Sequence, residues 1–260
     1  MTEQNLVKHR QAKYYKTPRK RVVTKERKRK MVDKRKTYVI VLDTETCPLD
    51  KDMEEVTPSN MFVYDVGMAV VDKKGNVYET YSFVVADIFF DEKTLMNSAY
   101  YADKLPQYYK DIKSGKRKVA TLYTIRKTLA ELMKKYNTNI ISAHNARFDN
   151  GALNNTERWL TKSKYRYFYP YGAVLWDTLK MAHDVIAKMP TYKKFCEENG
   201  YMTAHKKPRP QEKAEVLYKF ISGNNEFEES HTGLEDVLIE KEILAYCFRQ
   251  KKKMRKLLYD

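Results

Sequence analysis

The sequence predicts an α/β fold, a mixed β-sheet with helices on both faces. Three features point to it: a short β-branched run, Tyr38-Val-Ile-Val-Leu42, that stops at an acid; two further apolar runs joined by a tight turn; and helical spacings that then alternate with short strands. At 260 residues and 42% hydrophobic, the chain can bury one sizeable core, and a second full domain would strain it.

Tyr38 to Leu42 has the composition of a central strand buried on both faces, with Asp43 directly after it. Val63 to Val71 and Val77 to Val85 read as two more strands, and Lys73-Lys-Gly-Asn76 as the hairpin turn between them. Leu122, Ile125, Leu129, Leu132, Met133 and Tyr136 recur at intervals of three and four, which predicts a helix from Thr121 to Tyr136. A strand at Ile140 to Ala143, a helix from Phe148 to Leu160, a strand at Val174 to Trp176 and a helix near Thr178 to Ala187 follow. The last helix begins at Thr232 and Glu235, which have capping-box spacing, and carries Leu234, Val237, Leu238, Ile243, Leu244, Cys247 and Phe248. Segments 86–118 and 188–229 show no clear period.

Charge is unevenly distributed. Residues 1–37 hold 15 Lys/Arg against Glu3, Glu26 and Asp33, and so carry +12 of the formal +16. Without apolar periodicity they are expected to form a basic disordered arm, leaving 38–260 as the folded domain. Concentrated cations suit a polyanion, nucleic acid before an anionic membrane surface. Cys47, Cys196 and Cys247 are too few and too scattered for a disulfide framework or a zinc site. With no apolar run behind the N-terminal charges, a soluble intracellular protein is expected, not a membrane one. No glycine-rich phosphate loop is present, which argues against a nucleotide-driven motor or kinase.

Carboxylates supply the chemistry. In Asp43-Thr-Glu45, residues two apart on extended backbone point the same way, so both acids can share a divalent cation. The spacing alone is weak, since Asp52-Met-Glu54 repeats it away from any strand. His144-Asn-Ala-Arg-Phe-Asp149 spans the step from strand to helix, placing Asp149 in a first helical turn. His231 precedes Asp236 by five positions, with Thr232 between them as N-cap.

Asp43-Thr-Glu45, Asn145-x-x-Phe148-Asp149 and His231-x-x-x-x-Asp236, in this order and on these elements, resemble the three motifs of the DEDDh 3′→5′ exonucleases. Trp176-Asp-Thr-Leu179 resembles a strand-to-helix step of the same family, and the stretch from His231 to Glu240 is similar to bacteriophage members. The resemblance covers about residues 38–250 and implies an RNase H-like fold. It implies that Asp43, Glu45, Asp149 and Asp236 hold two divalent cations, Mg²⁺ or Mn²⁺, and that His231 is the general base. Thr44, Thr46, Asn145 and Phe148 fall where the substrate binds. The implied partner is the 3′ end of single-stranded DNA or RNA, with room for a polymerase or other replication protein. A non-catalytic nucleic-acid-binding module on the same fold is the alternative.

Two departures stand out. Cys47-Pro48 occupies the place where the family often has Gly, and the interval from Asp149 to His231 is long, which predicts an insertion around 188–229. His144 repeats the His-x-x-x-x-Asp spacing and is a rival base, although its position beside Asn145 favours a structural hydrogen-bonding role. Lys164-Tyr-Arg-Tyr-Phe-Tyr-Pro-Tyr171 is read first as core and loop packing, with stacking of single-stranded bases as the alternative. Arg249 to Lys256 is either a phosphate track or a solvated helix end.

Overall fold

The computed structural model describes residues 32–48, 57–97, 99 and 102–259. The basic arm up to residue 31 and the Asp52-Met-Glu54 spacing lie outside them. Six strands form one mixed sheet in the order β4-β3-β2-β1-β5-β6: β1 (Tyr38–Pro48), β2 (Met61–Asp72), β3 (Val77–Val85), β4 (Lys118–Ala120), β5 (Ile140–Ala143) and β6 (Val174–Asp177). β1 runs antiparallel to β2 and parallel to β5, so the strand bearing Asp43 lies at the centre. The β2–β3 hairpin turns at Gly75, whose φ of 82° suits glycine, while the Asp72 carboxylate accepts the Lys74 and Asn76 amides.

The helices are α1 (Ala86–Phe89), α2 (Lys93–Met96), α3 (Leu105–Ser114), α4 (Leu122–Tyr136), α5 (Ala146–Thr161), α6 (Thr178–Val185), α7 (Pro190–Glu198), α8 (Ala214–Ser222) and α9 (Gly233–Arg249). On one face, Val39, Val41, Ala69 and Val71 meet Met181, Val185, Tyr192, Leu217, Val237 and Leu244 from α6 to α9. On the other, Tyr136 of α4 lies edge-on to Tyr38 at 5.0 Å, and the Thr156 hydroxyl of α5 accepts the Val63 amide at 3.0 Å. Alternation along β1 thus gives each layer its own set of side chains. No helix among the described residues is long and apolar enough to cross a membrane.

Four sequence readings need correction. β1 does not stop before Asp43 but continues to Pro48, because β2 supplies ladder partners along its whole length, Gly67 opposite Asp43 and Asp65 opposite Glu45. A register shift follows between Glu45 and Thr46, the kind of bulge that bends a strand and re-aims its side chains. The capping box does not form: the Thr232 hydroxyl donates to the Glu235 carboxylate at 2.8 Å and makes no bond to the helix backbone. α6 ends at Val185, and α5 begins two residues earlier than expected, at Ala146. The aperiodic segments contain structure of their own, α1 to α3 and β4 in the first, α7 and α8 in the second. After α9 the chain leaves the helix and lines the edge of β6, with the Asp177 amide donating to Lys256 O and the Leu258 amide to Leu175 O.

Candidate active site

β1 brings Asp43 and Glu45 to the middle of the sheet, and α9 must approach it closely to add Asp236. Two glycines permit this. A Cβ on Gly67 of β2 would lie 2.1 Å from the carbonyl carbon of Gly233, and one on Gly233 would lie 2.6 Å from the Gly67 nitrogen, so neither position has space for a side chain.

Polar contacts fix the same junction. Asp65 Oδ2 accepts the Gly233 amide at 3.1 Å, the Tyr108 hydroxyl at 2.6 Å and Arg117 Nη1 at 2.8 Å. The buried Arg117 also reaches Ser82, Asp111 and Glu235. It therefore pins the first turn of α9 to β2 and to the α3–β4 connection. Breaking one partner of such a buried pair typically costs about 3–5 kcal/mol, because the other charge is left uncompensated.

The result is an acidic cluster. Carboxylate oxygens of Asp43, Glu45 and Asp236 lie within 4.8 Å of one another, and so do ligand atoms of Glu229, His231 and Asp236. Asp149, buried in the first turn of α5, is oriented by the Thr44 hydroxyl, which donates to its Oδ1 at 2.8 Å. Of the expected substrate-binding residues, Thr44 is thus committed to Asp149 and Thr46 is buried. Asn145 is exposed as the left-handed N-cap of α5, and its carbonyl accepts the Phe148 amide.

Burial and mutual repulsion hold these acids protonated far above the ordinary carboxylate range. Burial followed by Glu240, Asp149, Glu45 and Asp236 pushes Asp43 well up, and burial with Asp236 and Asp65 does the same to Glu45. Asp149 and Asp236 are each raised to about 7, chiefly by burial. His231 moves the other way, lowered by burial and by the Lys104 cation, so it is neutral near pH 7. His144 is also lowered by burial, but both ring nitrogens are engaged, Nδ1 with Thr178 Oγ1 at 3.0 Å and Nε2 with Glu212 O at 2.8 Å. A ring fixed at both ends has no free lone pair for proton transfer.

Sequence reasoning missed Glu240. It lies one turn beyond Asp236 on the same face of α9, is 3% exposed, and accepts the His144 amide at 3.1 Å through Oε1. Its Oε2 is buried without a hydrogen-bond partner. The i, i+4 spacing from Asp236 was the available signal, but an acid inside an amphipathic helix usually faces solvent. Glu229, with Oε2 3.8 Å from His231 Nδ1, was also missed, since nothing in its acidic loop marks it.

Oxygen donors crowded at this density suit hard divalent cations, and an orphaned buried carboxylate oxygen beside them fits the same need. A pH-dependent stability follows. Raised acid pKa values make the metal-free fold most favoured below about pH 4, where the unfolded carboxyls are protonated too, and this contribution is lost as pH rises through about 7. Mg²⁺ or Mn²⁺ at about 100 times Kd should restore about 2.7 kcal/mol, or roughly 5–10 °C in Tm, at pH 7.5. The increment should shrink at pH 5, where protons compete. Scanning calorimetry with and without chelator at both pH values checks this, and an increment independent of pH would refute it.

No protein-family model and no curated protein sequence matches the chain. Solved structures do. The nuclease domain of 3′hExo, a DEDDh family member, bound to rAMP, superposes with a TM-score of 0.50 at 13% identity, over 85% of this chain and 96% of that one. A 3′-exonuclease solved for 3′-end-specific recognition of the histone mRNA stem-loop gives 0.50 at 12% identity, over 97% and 73%. The ExoI/SSB-Ct complex gives 0.50 at 16% identity, over 83% of this chain but only 42% of that one. The chain therefore has the RNase H-like fold of the DEDDh 3′-exonucleases, as its motifs led one to expect.

Proposed function

We propose, from a chain with the DEDDh exonuclease fold, that it is a metal-dependent 3′→5′ exonuclease that removes nucleoside 5′-monophosphates from the 3′ end of single-stranded DNA or RNA. The observation that carries this reading is the convergence of Asp43, Glu45 and Asp236 within 4.8 Å, with His231 against Asp236 and Asp149 tied to Thr44.

Asp43, Glu45 and Asp236 would hold one divalent cation, and Asp149, with Asp43, a second. When bound, two such ions supply positive charge to the attacking and leaving oxygens of an in-line displacement at phosphorus. His231, neutral at working pH, takes the proton of the attacking water as the new P–O bond forms and the bond to the 3′ oxygen breaks. The shortened strand keeps a 3′ hydroxyl, and the released nucleotide carries the 5′ phosphate. Thr44 positions Asp149, and burial, with the Lys104 cation, disfavours the charged form of His231. The cationic N-terminal segment would assist capture of the strand, and a replication protein such as a polymerase would be a compatible partner.

A 5′-labelled oligonucleotide, offered as DNA and as RNA with Mg²⁺ or with chelator, tests the reading. A ladder shortened stepwise from the 3′ end, seen only with metal, is expected. A band retarded on a native gel but intact in length would instead indicate a binding module.

A further inference from the structure

The loop after α5 turns most of its aromatic rings outward, contrary to the packing first expected for it. In Lys164 to Tyr171, Phe168 is fully buried, its amide donating to Asn154 Oδ1 at 2.9 Å and its carbonyl accepting Arg126 Nε at 2.7 Å. Arg158 Nε adds a bond to Arg166 O. These contacts fix the loop backbone without help from Tyr165, Tyr167 and Tyr171, which are 78%, 58% and 105% exposed. Trp159, near the end of α5, packs one side on Phe62 at 5.1 Å and is still 40% exposed. Three tyrosine rings left this far in water need another explanation.

Cations are interleaved with these rings. Arg158 lies 4.9 Å from the Tyr167 ring centre, Lys162 4.1 Å from Trp159 and Lys164 5.2 Å from Tyr165. From Arg158 to Tyr171 the chain carries no carboxylate. Tyr171 also closes one side of a shallow cleft of about 270 Å³ with Tyr123, Arg126 and Lys127. Separate aromatic faces alternating with cations match unpaired bases alternating with phosphates. A membrane surface would call for a continuous apolar face, which the interleaved charges interrupt.

Position ties the patch to the carboxylates. Asp149 is in the first turn of α5 and Thr161 ends that helix, so at about 1.5 Å per residue the loop that carries the tyrosines leaves the helix about 18 Å from Asp149. About five stacked nucleotides, at about 3.4 Å each, span that distance.

We propose that Trp159, Tyr165, Tyr167 and Tyr171, with Arg158 and Lys164, form a stacking platform for single-stranded nucleic acid about five nucleotides upstream of the 3′ end. Its orientation rests on the exonuclease reading; its existence does not. Fluorescence anisotropy of the full chain in chelator, with 5′-labelled dA4 and dA12, tests it. The wild type should bind dA12 more tightly than dA4, and dA12 should quench the exposed Trp159. Removing a stacked base contact typically costs about 1–3 kcal/mol, so Tyr165→Ala/Tyr167→Ala should weaken dA12 binding at least about tenfold. Tyr165→Phe/Tyr167→Phe keeps the rings and should retain the affinity, which separates stacking from misfolding. Unchanged dA12 affinity in the alanine variant overturns the platform, as does loss of binding to anionic vesicles alone. A wild type that leaves strands intact with Mg²⁺, yet binds dA12 through these tyrosines, refutes the exonuclease reading and keeps the platform. Strand shortening with tyrosine-independent affinity does the reverse.

Discussion

Asp43→Asn is expected to abolish strand hydrolysis while making the metal-free protein more stable. Asp43 is central to the cluster, its carboxylate in reach of Glu45 and Asp236 and repelled by Glu240 and Asp149 as well. The amide keeps the shape but withdraws the negative charge that holds a cation. Charge stabilisation by bound metal is worth several kcal/mol in the transition state, and each 1.36 kcal/mol is tenfold in rate, so a loss of at least about 10³-fold follows. The same substitution relieves repulsion among the remaining acids, so Tm in chelator should rise above wild type, and the Mg²⁺-dependent increment should largely disappear. Quantifying released mononucleotide and recording both melting curves checks the two halves separately. Hydrolysis near the wild-type rate with the metal increment intact would remove Asp43 from the site.

Replacing His231 with alanine should lower the rate by about 10² to 10⁴, the usual share of general-base catalysis. The pH profile makes the result specific. Burial and Lys104 lower the imidazole's pKa below 6.5, so the wild-type rate should fall on the acid side of that lowered value as the base becomes protonated. His231→Ala should lack that limb. His144→Ala should keep it, since both His144 nitrogens are hydrogen-bonded within the fold, and should instead cost about 1–3 kcal/mol of stability through the partners left unsatisfied. Were the acid limb to vanish in His144→Ala and persist in His231→Ala, the two roles would have to be exchanged.

The central sheet was readable because its signals are local. Val39 and Val41 alternate with Ile40 and Leu42 on a strand buried on both faces, and the Gly75 turn needs only its own residues and Asp72. Asp43, Glu45, Asp149, His231 and Asp236 were legible for a related reason. Their short spacings are local too, but taken singly they are weak, and it was the resemblance of three motifs in order that singled these residues out as candidates.

Tertiary structure decided what depends on distant neighbours. Whether β1 stops at Leu42 or continues to Pro48 turns on hydrogen bonds from β2, which the strand's own composition does not encode. Arg117 and Asp65 lie 52 residues apart and meet only because β4 and β2 are placed in one sheet. Glu240 looks like an ordinary surface acid until α9 packs against β1, when the close approach of Gly67 and Gly233 carries it into the interior beside Asp149. Tyr165 and Phe168 differ little in apolar character, yet one is exposed and the other buried, according to which of them α4 and α5 leave room to cover. The sequence by itself determined the element types and the order of the acids, because these are short-range properties of the backbone and its hydrophobic period. Burial, charge coupling and which rings face the solvent were decided only by the folded chain, because each is a sum over neighbours that folding alone brings together.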